Sequence, residues 1–358
     1  MRQQNIASMR RVVHRPPIRR SLVMVALAVV TGLGGLLAAG QIARRTVAAG
    51  HPAPGRLIDV GGYRLHLHCT GQRSAGEPTL VLEAGLGESS LTWAGIHPTL
   101  GAAYRVCAYD RAGYGWSDPA PHRPSAAATV TDLHGLLDAA NEPGPYVLVA
   151  HSLGGLYARL FTQRFPDDVA GLALLDPSHE EMISQLPPDW QASIRAAKAE
   201  GGRQLRIPAL LADLGLTALI PGLASADLRL PTETQATIRT LSGASGKSWR
   251  ALAQELGADE AILAEVRAAQ ITDLGDRPLV VVKAGAAAPG APPAGLSPFT
   301  PTRDLHRELA AQSTRGRLVT LDRSTHYVHY DAPERVIALI TTLMEEVKPL
   351  TASSQGDD

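Results

Sequence analysis

The chain has 358 residues, of which 45% are hydrophobic, and its formal net charge at pH 7 is zero. This length allows a sizeable buried core, either as one large domain with an insertion or as two smaller domains. Lysine and arginine form no long block beyond the N-terminus, which excludes the basic surface expected of a nucleic-acid-binding protein.

The N-terminal region contains a long apolar run. Residues 21–40, SLVMVALAVVTGLGGLLAAG, carry no charged side chain. Twenty helical residues at about 1.5 Å each span roughly 30 Å, which is the hydrocarbon thickness of a bilayer. An arginine cluster lies in the basic N-terminus, residues 1–20, whereas only two arginines follow the run closely, in the linker 41–55. By the positive-inside rule, residues 1–20 stay in the cytoplasm and the chain beyond the run is extracytoplasmic.

We therefore predict that residues 21–40 are an uncleaved transmembrane anchor, so that the protein interacts with the membrane through this helix. The run is longer than the apolar region of a signal peptide, which usually has about 7–15 residues. The alternative is a signal segment cleaved near the small residues at Ala38 to Gly40, which would release a secreted protein.

Residues 56–176 alternate between strand-like and helix-like patterns. RLIDVGGYRLHLHCTG predicts a β-hairpin that turns at Gly61 and Gly62. TLVLEAG, YRVCAYD, YVLVAHS and VAGLALLD are short apolar runs typical of buried strands, and helical spacing occupies residues 125–140 and 153–164. Strands that are apolar throughout and alternate with helices predict a mostly parallel sheet covered on both faces.

The two cysteines, Cys69 and Cys107, fall in separate predicted strands. Two cysteines exclude a disulfide framework and a cysteine-based zinc site. We interpret them as two core thiols, and the alternative is a single disulfide formed in an oxidising compartment.

The pattern changes at residues 177–276, where helical segments rich in leucine, alanine and proline replace the alternation. The alternation resumes at residues 277–348, with strand-like PLVVVKAG and RLVTL and a last helix over residues 333–347. We interpret residues 177–276 as a helical lid inserted into an α/β sheet. The loop AGAAAPGAPPAGLSPFTP is predicted to be flexible, and the tail 349–358 is predicted to be disordered.

A candidate nucleophile, Ser152, stands between the strand YVLVAHS and the following helix. Ala150-His151-Ser152-Leu153-Gly154 is small-x-Ser-x-Gly, and the small outer residues let the chain turn sharply enough to expose the serine. The structural alternative is a serine that caps the helix N-terminus.

These motifs together resemble the α/β-hydrolase superfamily, in particular bacterial serine hydrolases with a YDRAGYGWSD segment. The resemblance covers roughly residues 56–348 and rests on motifs in the expected order: EAGLGESSLTW, YDRAGYGWSD, AHSLGGLYAR, LLDPSHEE and STHYVHYDAPE. It implies the α/β-hydrolase fold, a mostly parallel eight-stranded sheet with helices on both faces and a helical lid, and a serine hydrolase without a cofactor or metal.

The hydrolase chemistry requires a base next to the serine, because the hydroxyl must lose its proton during attack. His326, in DRSTHYVHYDAPE, matches the position of the family's catalytic histidine, and His329 is its local competitor. We expect His151 to pack against the sheet. His66 and His68, two apart on one strand, are interpreted as surface residues rather than metal ligands.

The acid departs from the family pattern, because the loop KAGAAAPGAPPAG, where most relatives carry it, contains no Asp or Glu. Asp176 ends the strand that follows the nucleophile helix and is the preferred candidate, with Asp304 as the alternative. Both preserve the Ser…Asp…His order. Glu180 and Asp322 are further candidates.

The oxyanion that develops during acyl transfer needs backbone donors, and the resemblance assigns these to the N–H groups of Leu86 and Leu153. The same resemblance makes DRAGYGWSD a structural loop, in which Tyr114 and Trp116 are candidate substrate contacts. Trp190 in the predicted lid is a third candidate, and with Trp249 it favours a substrate with an apolar acyl or alcohol portion.

We therefore predict a serine hydrolase that cleaves small-molecule carboxylic esters through an acyl-enzyme intermediate. Ser152 argues against dehalogenase and epoxide-hydrolase chemistry, which use an aspartate nucleophile in this fold. Aminopeptidase-like, lactonase and perhydrolase activities remain as alternatives on the same triad. A catalytically silent extracytoplasmic binding protein is the alternative of another class.

Overall fold

The computed structural model of the protein describes residues 18–74, 76–219, 227–285 and 303–353. Most of the basic N-terminus, nearly all of the predicted flexible loop and the last residues of the tail lie outside these ranges. The structure does not address the predictions for those residues. The first five residues of the predicted tail, 349–353, belong to the last helix, so the prediction that this part is disordered is wrong.

A single eight-stranded sheet forms the centre of the molecule, with the strand order β1-β2-β4-β3-β5-β6-β7-β8. Within the described residues, β2 pairs antiparallel with β1 and with β4, and the other five strand pairs are parallel, so the prediction of a mostly parallel sheet is confirmed. The strands are β1 (Arg56–Asp59), β2 (Arg64–Thr70), β3 (Thr79–Glu83), β4 (Val106–Tyr109), β5 (Tyr146–His151), β6 (Val169–Leu175), β7 (Leu279–Ala284) and β8 (Gly316–Leu321).

Helices cover both faces of this sheet because its central strands alternate apolar side chains between the two sides. In β5, Leu148 and Ala150 contribute to one hydrophobic cluster, whereas Val147 and Val149 contribute to the other. The helices are α1 (Ile18–Ala49), α2 (His97–Ala103), α3 (Ala126–Ala139), α4 (Gly154–Arg164), α5 (Pro188–Gln204), α6 (Arg206–Asp213), α7 (Thr232–Ala244), α8 (Lys247–Ala268), α9 (Leu305–Ala310), α10 (Val328–Asp331) and α11 (Pro333–Ser353).

The segment between β6 and β7, residues 177–276, contains helices α5 to α8 and is called the helical insertion below. The second half of α8 packs into the core, since Ile262 and Val266 are fully buried in the same cluster as residues of β5 and α4. The insertion is thus joined to the sheet by apolar contacts as well as by its two chain connections.

Helix α1 contains the apolar N-terminal run. Leu22–Ala49 is long and apolar enough to cross a membrane, and none of its most apolar stretch is buried within the protein. Its second half contacts the helical insertion. Gly40 is buried there, and the side chains of Gln41 and Arg44 donate hydrogen bonds of 2.8 and 3.0 Å to the carbonyl oxygen of Asp213.

A disulfide joins Cys69 and Cys107, so the preferred interpretation of two core thiols is wrong. The antiparallel register of β2 and β4 places the two residues directly opposite each other, with Cα atoms 4.0 Å apart. That pairing depends on strand order in space, because the two cysteines are 38 residues apart in the chain.

Candidate active site

Ser152 occupies a forced turn between β5 and α4. Its φ angle is +52°, which a side-chain-bearing residue adopts only at a cost. The turn is held by backbone hydrogen bonds from the Ser152 amide to the Leu175 carbonyl, 3.1 Å, and from the Ser178 amide to the Ser152 carbonyl, 2.9 Å. Gly154 permits the turn to pack, since a Cβ atom there would lie 2.7 Å from the carbonyl oxygen of Glu83.

His326 lies in the loop between β8 and α10, and its ring reaches the serine. Its Nε2 atom is 2.9 Å from the hydroxyl oxygen of Ser152, and its Nδ1 atom is 2.7 Å from Oδ2 of Asp176. The His326 side chain is 45% exposed, so solvent and small molecules have access to it. The structure thus places the three preferred candidates in one hydrogen-bonded chain.

Asp176 follows β6, the strand that pairs with β5, and it too has a positive φ, +41°. Its other oxygen, Oδ1, accepts the Ala284 amide at 2.9 Å and faces Nε2 of His306 at 3.4 Å. Burial alone would raise the pKa of this carboxyl, but the imidazoles of His306 and His326 and the Ala284 amide together hold the pKa well below its usual value. Asp176 is therefore ionised at neutral pH.

The other acid candidates have different partners. Asp304 caps the N-terminus of α9, where its carboxylate accepts the Arg307 amide at 3.3 Å and lies 3.5 Å from Lys283. Glu180 forms a buried ion pair with Arg159, 2.6 Å. Asp322 is exposed to solvent.

The loop of residues 84–88, called the oxyanion loop below, follows β3 and contains the predicted oxyanion donor Leu86. Two side chains hold this loop: Arg111 donates to the carbonyl oxygens of Ala84 and Gly85 at 2.7 and 2.6 Å, and Glu255 accepts the Gly87 amide at 3.3 Å. Within the described residues, the backbone amides of Leu86 and Leu153 donate to no protein acceptor. Backbone amides without a protein acceptor are what an oxyanion site requires, and Leu153 directly follows the serine in the chain.

Glu255 is a site-supporting residue that sequence reasoning missed. It belongs to α8 of the helical insertion and is 144 residues from its ion-pair partner Arg111. It also accepts a hydrogen bond of 2.7 Å from the Tyr114 hydroxyl. A glutamate in a helix with several charged residues gives no sequence signal that it is buried.

The four other histidines considered in the sequence analysis lie outside the proposed triad. His66 is fully buried, 2.9 Å from Oδ2 of Asp110, so its interpretation as a surface residue is wrong; the loop after β4 covers this part of β2. His68 is partly buried on the same strand. His329 is buried and lies 3.2 Å from the Thr92 hydroxyl, and His151 is buried beneath the His326 ring.

A cleft of about 200 Å³ opens between the helical insertion and the loops that carry Glu88 and His326. Leu230, Ile238 and Leu241 form its apolar wall, and Tyr327 lines the opposite side. Of the three predicted substrate contacts, only Tyr114 is among the lining residues.

The other predicted aromatic contacts lie elsewhere. The Trp116 indole donates to the carbonyl oxygen of His51 at 3.0 Å, and Trp190 lies in the first turn of α5 with 39% of its surface exposed. The indole of Trp249, which lies in α8, donates to the Ser242 carbonyl oxygen at 2.8 Å.

One group of three potential metal ligands occurs within the described ranges, namely Cys69, Cys107 and Glu142. Its two sulfur atoms are bonded to each other, so they do not present thiolate ligands to an ion.

Comparison with known proteins identifies a family and a fold. A family model described as the alpha/beta hydrolase family matches residues 80–339. Among curated proteins, an uncharacterized protein of Mycobacterium tuberculosis is 26% identical over 81% of both chains. A probable transporter of Hormonema carpetanum is 34% identical over 37% of this chain. This chain spans only 20–44% of the length of the first curated relatives that it matches.

Two solved structures share the architecture. The thermophilic esterase from Thermogutta terrifontis aligns over 82% of this chain and 97% of its own with a TM-score of 0.56 and 22% identity. The enol-lactonase from Burkholderia xenovorans aligns over 81% and 100%, with a TM-score of 0.56 and 23% identity. At these identities the likeness establishes the fold alone.

Proposed function

Because the chain belongs to the alpha/beta hydrolase family, we propose that it is a serine hydrolase of carboxylic esters in which Ser152, His326 and Asp176 form the catalytic triad. The observation that carries this proposal is the hydrogen-bonded chain from the serine hydroxyl through the imidazole to the carboxylate, with lengths of 2.9 and 2.7 Å. The lengths and the order of groups are those needed to activate a serine.

In the proposed mechanism, the ionised Asp176 carboxylate accepts a hydrogen bond from Nδ1–H of His326, which leaves Nε2 unprotonated and able to take the proton of Ser152. The serine oxygen attacks the ester carbonyl, and the amides of Leu86 and Leu153 stabilise the oxyanion. His326 then gives its proton to the leaving alcohol, and an acyl-enzyme forms on Ser152. The same imidazole then deprotonates a water molecule as it attacks the acyl carbonyl. The bond between Ser152 and the acyl group breaks, the carboxylic acid leaves, and the imidazolium returns the proton to the serine oxygen.

The substrate proposal follows from the cleft. Its apolar wall of Leu230, Ile238 and Leu241 suits a hydrocarbon acyl or alcohol group, and Tyr327, the residue that follows His326 in the chain, also lines it. The residues of this wall come from the helical insertion, which supports its assignment as a lid over the site.

We infer that α1 remains attached as a membrane anchor and that the catalytic domain is extracytoplasmic. Signal cleavage at Ala38 to Gly40 would cut within a continuous helix, at a glycine buried against the helical insertion. A Cβ atom at Gly40 would lie 2.9 Å from the Leu214 carbonyl oxygen, so the helix is closely fitted there. The disulfide also favours an oxidising compartment.

The test is the reaction of full-length protein with a fluorophosphonate probe, followed by a panel of p-nitrophenyl esters, lactones and aminoacyl anilides. We expect labelling and ester hydrolysis that are both abolished by Ser152→Ala. Ser193→Ala, which changes an exposed serine of α5, is the matched control. Absence of labelling in the wild-type protein would favour the catalytically silent binding protein, and a preference for lactones or anilides would replace the ester assignment.

A further inference from the structure

A buried pair of side chains, Glu88 and His151, lies beneath the proposed triad. His151 is the last residue of β5 and directly precedes Ser152. Its side chain is 1% exposed and that of Glu88 is 12% exposed, and Nδ1 of the imidazole is 3.1 Å from Oε2 of the carboxylate. Neither residue contacts the serine hydroxyl in the triad geometry, so the proposed mechanism leaves both without a role.

Both ring nitrogens of His151 face acceptors. Nδ1 faces the Glu88 carboxylate, and Nε2 is 3.0 Å from the backbone carbonyl oxygen of His326. Neither an ionised carboxylate nor a carbonyl oxygen has a hydrogen to donate, so each contact requires an N–H on the imidazole. Only the imidazolium form carries both protons, and therefore the geometry defines a buried cation–anion pair.

The electrostatic surroundings agree with this assignment. Burial alone raises the pKa of Glu88, but the His151 imidazole and the Gly85 amide lower it to about 2. Burial likewise opposes protonation of His151, yet Glu88, the His326 carbonyl and Asp176 raise its pKa. The rings that face His151 are His326 and His329, with centroids at 4.7 Å, and Tyr327 at 5.3 Å. Burial and the neighbouring His151 keep the pKa of His329 well below its usual value, so that ring is neutral.

The pair connects three segments of the site. Oε2 of Glu88 also accepts the Gly85 amide at 2.7 Å, next to the proposed oxyanion donor Leu86. His151 is covalently joined to the nucleophile, and its Nε2–H holds the backbone of His326. A Cβ atom at Gly85 would lie 2.8 Å from Nδ1 of His151 and 2.9 Å from Oε2 of Glu88, so the loop approaches the pair as closely as glycine allows.

We propose that Glu88 and His151 are a positioning pair. The two ionised side chains hold the oxyanion loop, Ser152 and His326 at the relative positions that the transition state requires. This proposal rests on the proposed function. Glu88 is among the residues that line the cleft, but the role proposed for it is to hold Gly85 and His151. Because the oxyanion forms only during the reaction, a shift of these groups relative to one another should weaken binding of the transition state more than binding of the ground state.

The experiment compares Glu88→Gln with the wild-type full-length protein in detergent, using p-nitrophenyl butyrate and a trifluoromethyl ketone that forms a tetrahedral adduct on serine. Asp168→Asn is the matched control, because Asp168 is also 3.1 Å from a histidine, His134, but precedes β6 at the opposite end of the strands. Charge state is read independently from ¹⁵N-histidine NMR spectra at pH 8, with the His151 signal assigned by its loss in His151→Gln.

We expect Glu88→Gln to lower kcat by about 10- to 100-fold, the scale of an ångström-sized misplacement, with KM changed by less than about threefold. The inhibition constant of the ketone should rise by the same factor as kcat falls, and the imidazolium signal should disappear. A variant that only loosened the fold would lower the unfolding temperature without this parallel change. Should Glu88→Gln fail to fold, Gly85→Ala disturbs the pair without removing a charge and should show the same kinetic pattern.

Two results would overturn the proposal: a folded Glu88→Gln protein with kcat and ketone affinity near wild type, or a neutral imidazole at His151 in the wild-type spectrum. An Asp168→Asn protein with an equal loss of kcat would also overturn it. A wild-type protein inert toward both ester and ketone would instead refute the proposed function, and the NMR measurement would still decide the charge state of the pair.

Discussion

Replacing Asp176 by asparagine tests the proposed triad most directly. In the structure, Oδ1 of Asp176 accepts the Ala284 amide at 2.9 Å while Oδ2 accepts Nδ1–H of His326 at 2.7 Å. An asparagine that keeps its oxygen on Ala284 presents its NH₂ group to Nδ1. That nitrogen must then be unprotonated, so the ring proton moves to Nε2, the atom that has to accept the proton of Ser152.

The opposite orientation of the asparagine is unfavourable, because its NH₂ group would face the Ala284 N–H. An unsatisfied buried donor costs about 1–3 kcal/mol. The wrong tautomer should therefore dominate, and we expect kcat to fall by about 10³- to 10⁴-fold, equivalent to roughly 4–5.5 kcal/mol of activation free energy. KM should change little, because Asp176 does not contact the substrate in the proposed mechanism.

The assay is the pre-steady-state burst and steady-state hydrolysis of p-nitrophenyl butyrate, with Asp304→Asn as the control. Asp304 is the alternative acid, and its place at the N-terminus of α9 predicts nearly wild-type kinetics for that variant. Asp176 is not the acid of the triad if Asp176→Asn keeps more than about a tenth of wild-type kcat, or if Asp304→Asn loses as much activity.

Three further predictions concern stability and the anchor. Burial lowers the pKa of His97 from its ordinary value of 6.5 to about 4, so stability should be complete above pH 6.5 and decrease on the order of 3 kcal/mol as the pH falls to 4. Unfolding temperatures between pH 7 and pH 4.5 should show a smaller decrease for His97→Gln. Reduction of the disulfide should cost about 2–4 kcal/mol of unfolding free energy, measured by denaturant titration with and without reductant. Gly215→Val should release α1 from the helical insertion, because its Cβ atom would lie 2.3 Å from the Gly40 carbonyl carbon. Limited proteolysis near residues 41–50 should then increase, whereas Gly275→Val, with a similar positive φ but no such contact, should not change it.

The sheet could be predicted from the sequence because each strand carries its own signal. YVLVAHS and VAGLALLD are apolar throughout and bounded by turn residues, and they became β5 and β6. The order of strands in space carries no such local signal, and it decided the cysteine pairing. The burial of His66 depends in the same way on a loop more than 40 residues distant that supplies Asp110.

The site was predictable where a motif enforces a shape. The turn around Ser152 needs small neighbours, and the structure has that turn with a φ of +52°. Glu88, Glu255 and His306 have no comparable signature, since each is an ordinary polar residue whose role depends on a long-range contact. The position of Asp176 was inferred from the end of its strand, but its contact with His326 joins residues 150 apart.

The strand–helix–strand unit β5–α4–β6 carries both Ser152 and Asp176, which lie 24 positions apart in the chain. Adjacent parallel strands joined by one helix form a local supersecondary unit whose internal geometry requires few distant contacts. The spacing of nucleophile and acid thus depends on one local unit, whereas the base joins them only through the packing of the C-terminal third of the chain. If that packing is damaged, Ser152 and Asp176 keep their spacing but have no base beside them. The proposed hydrolytic activity would therefore show whether the whole domain has folded.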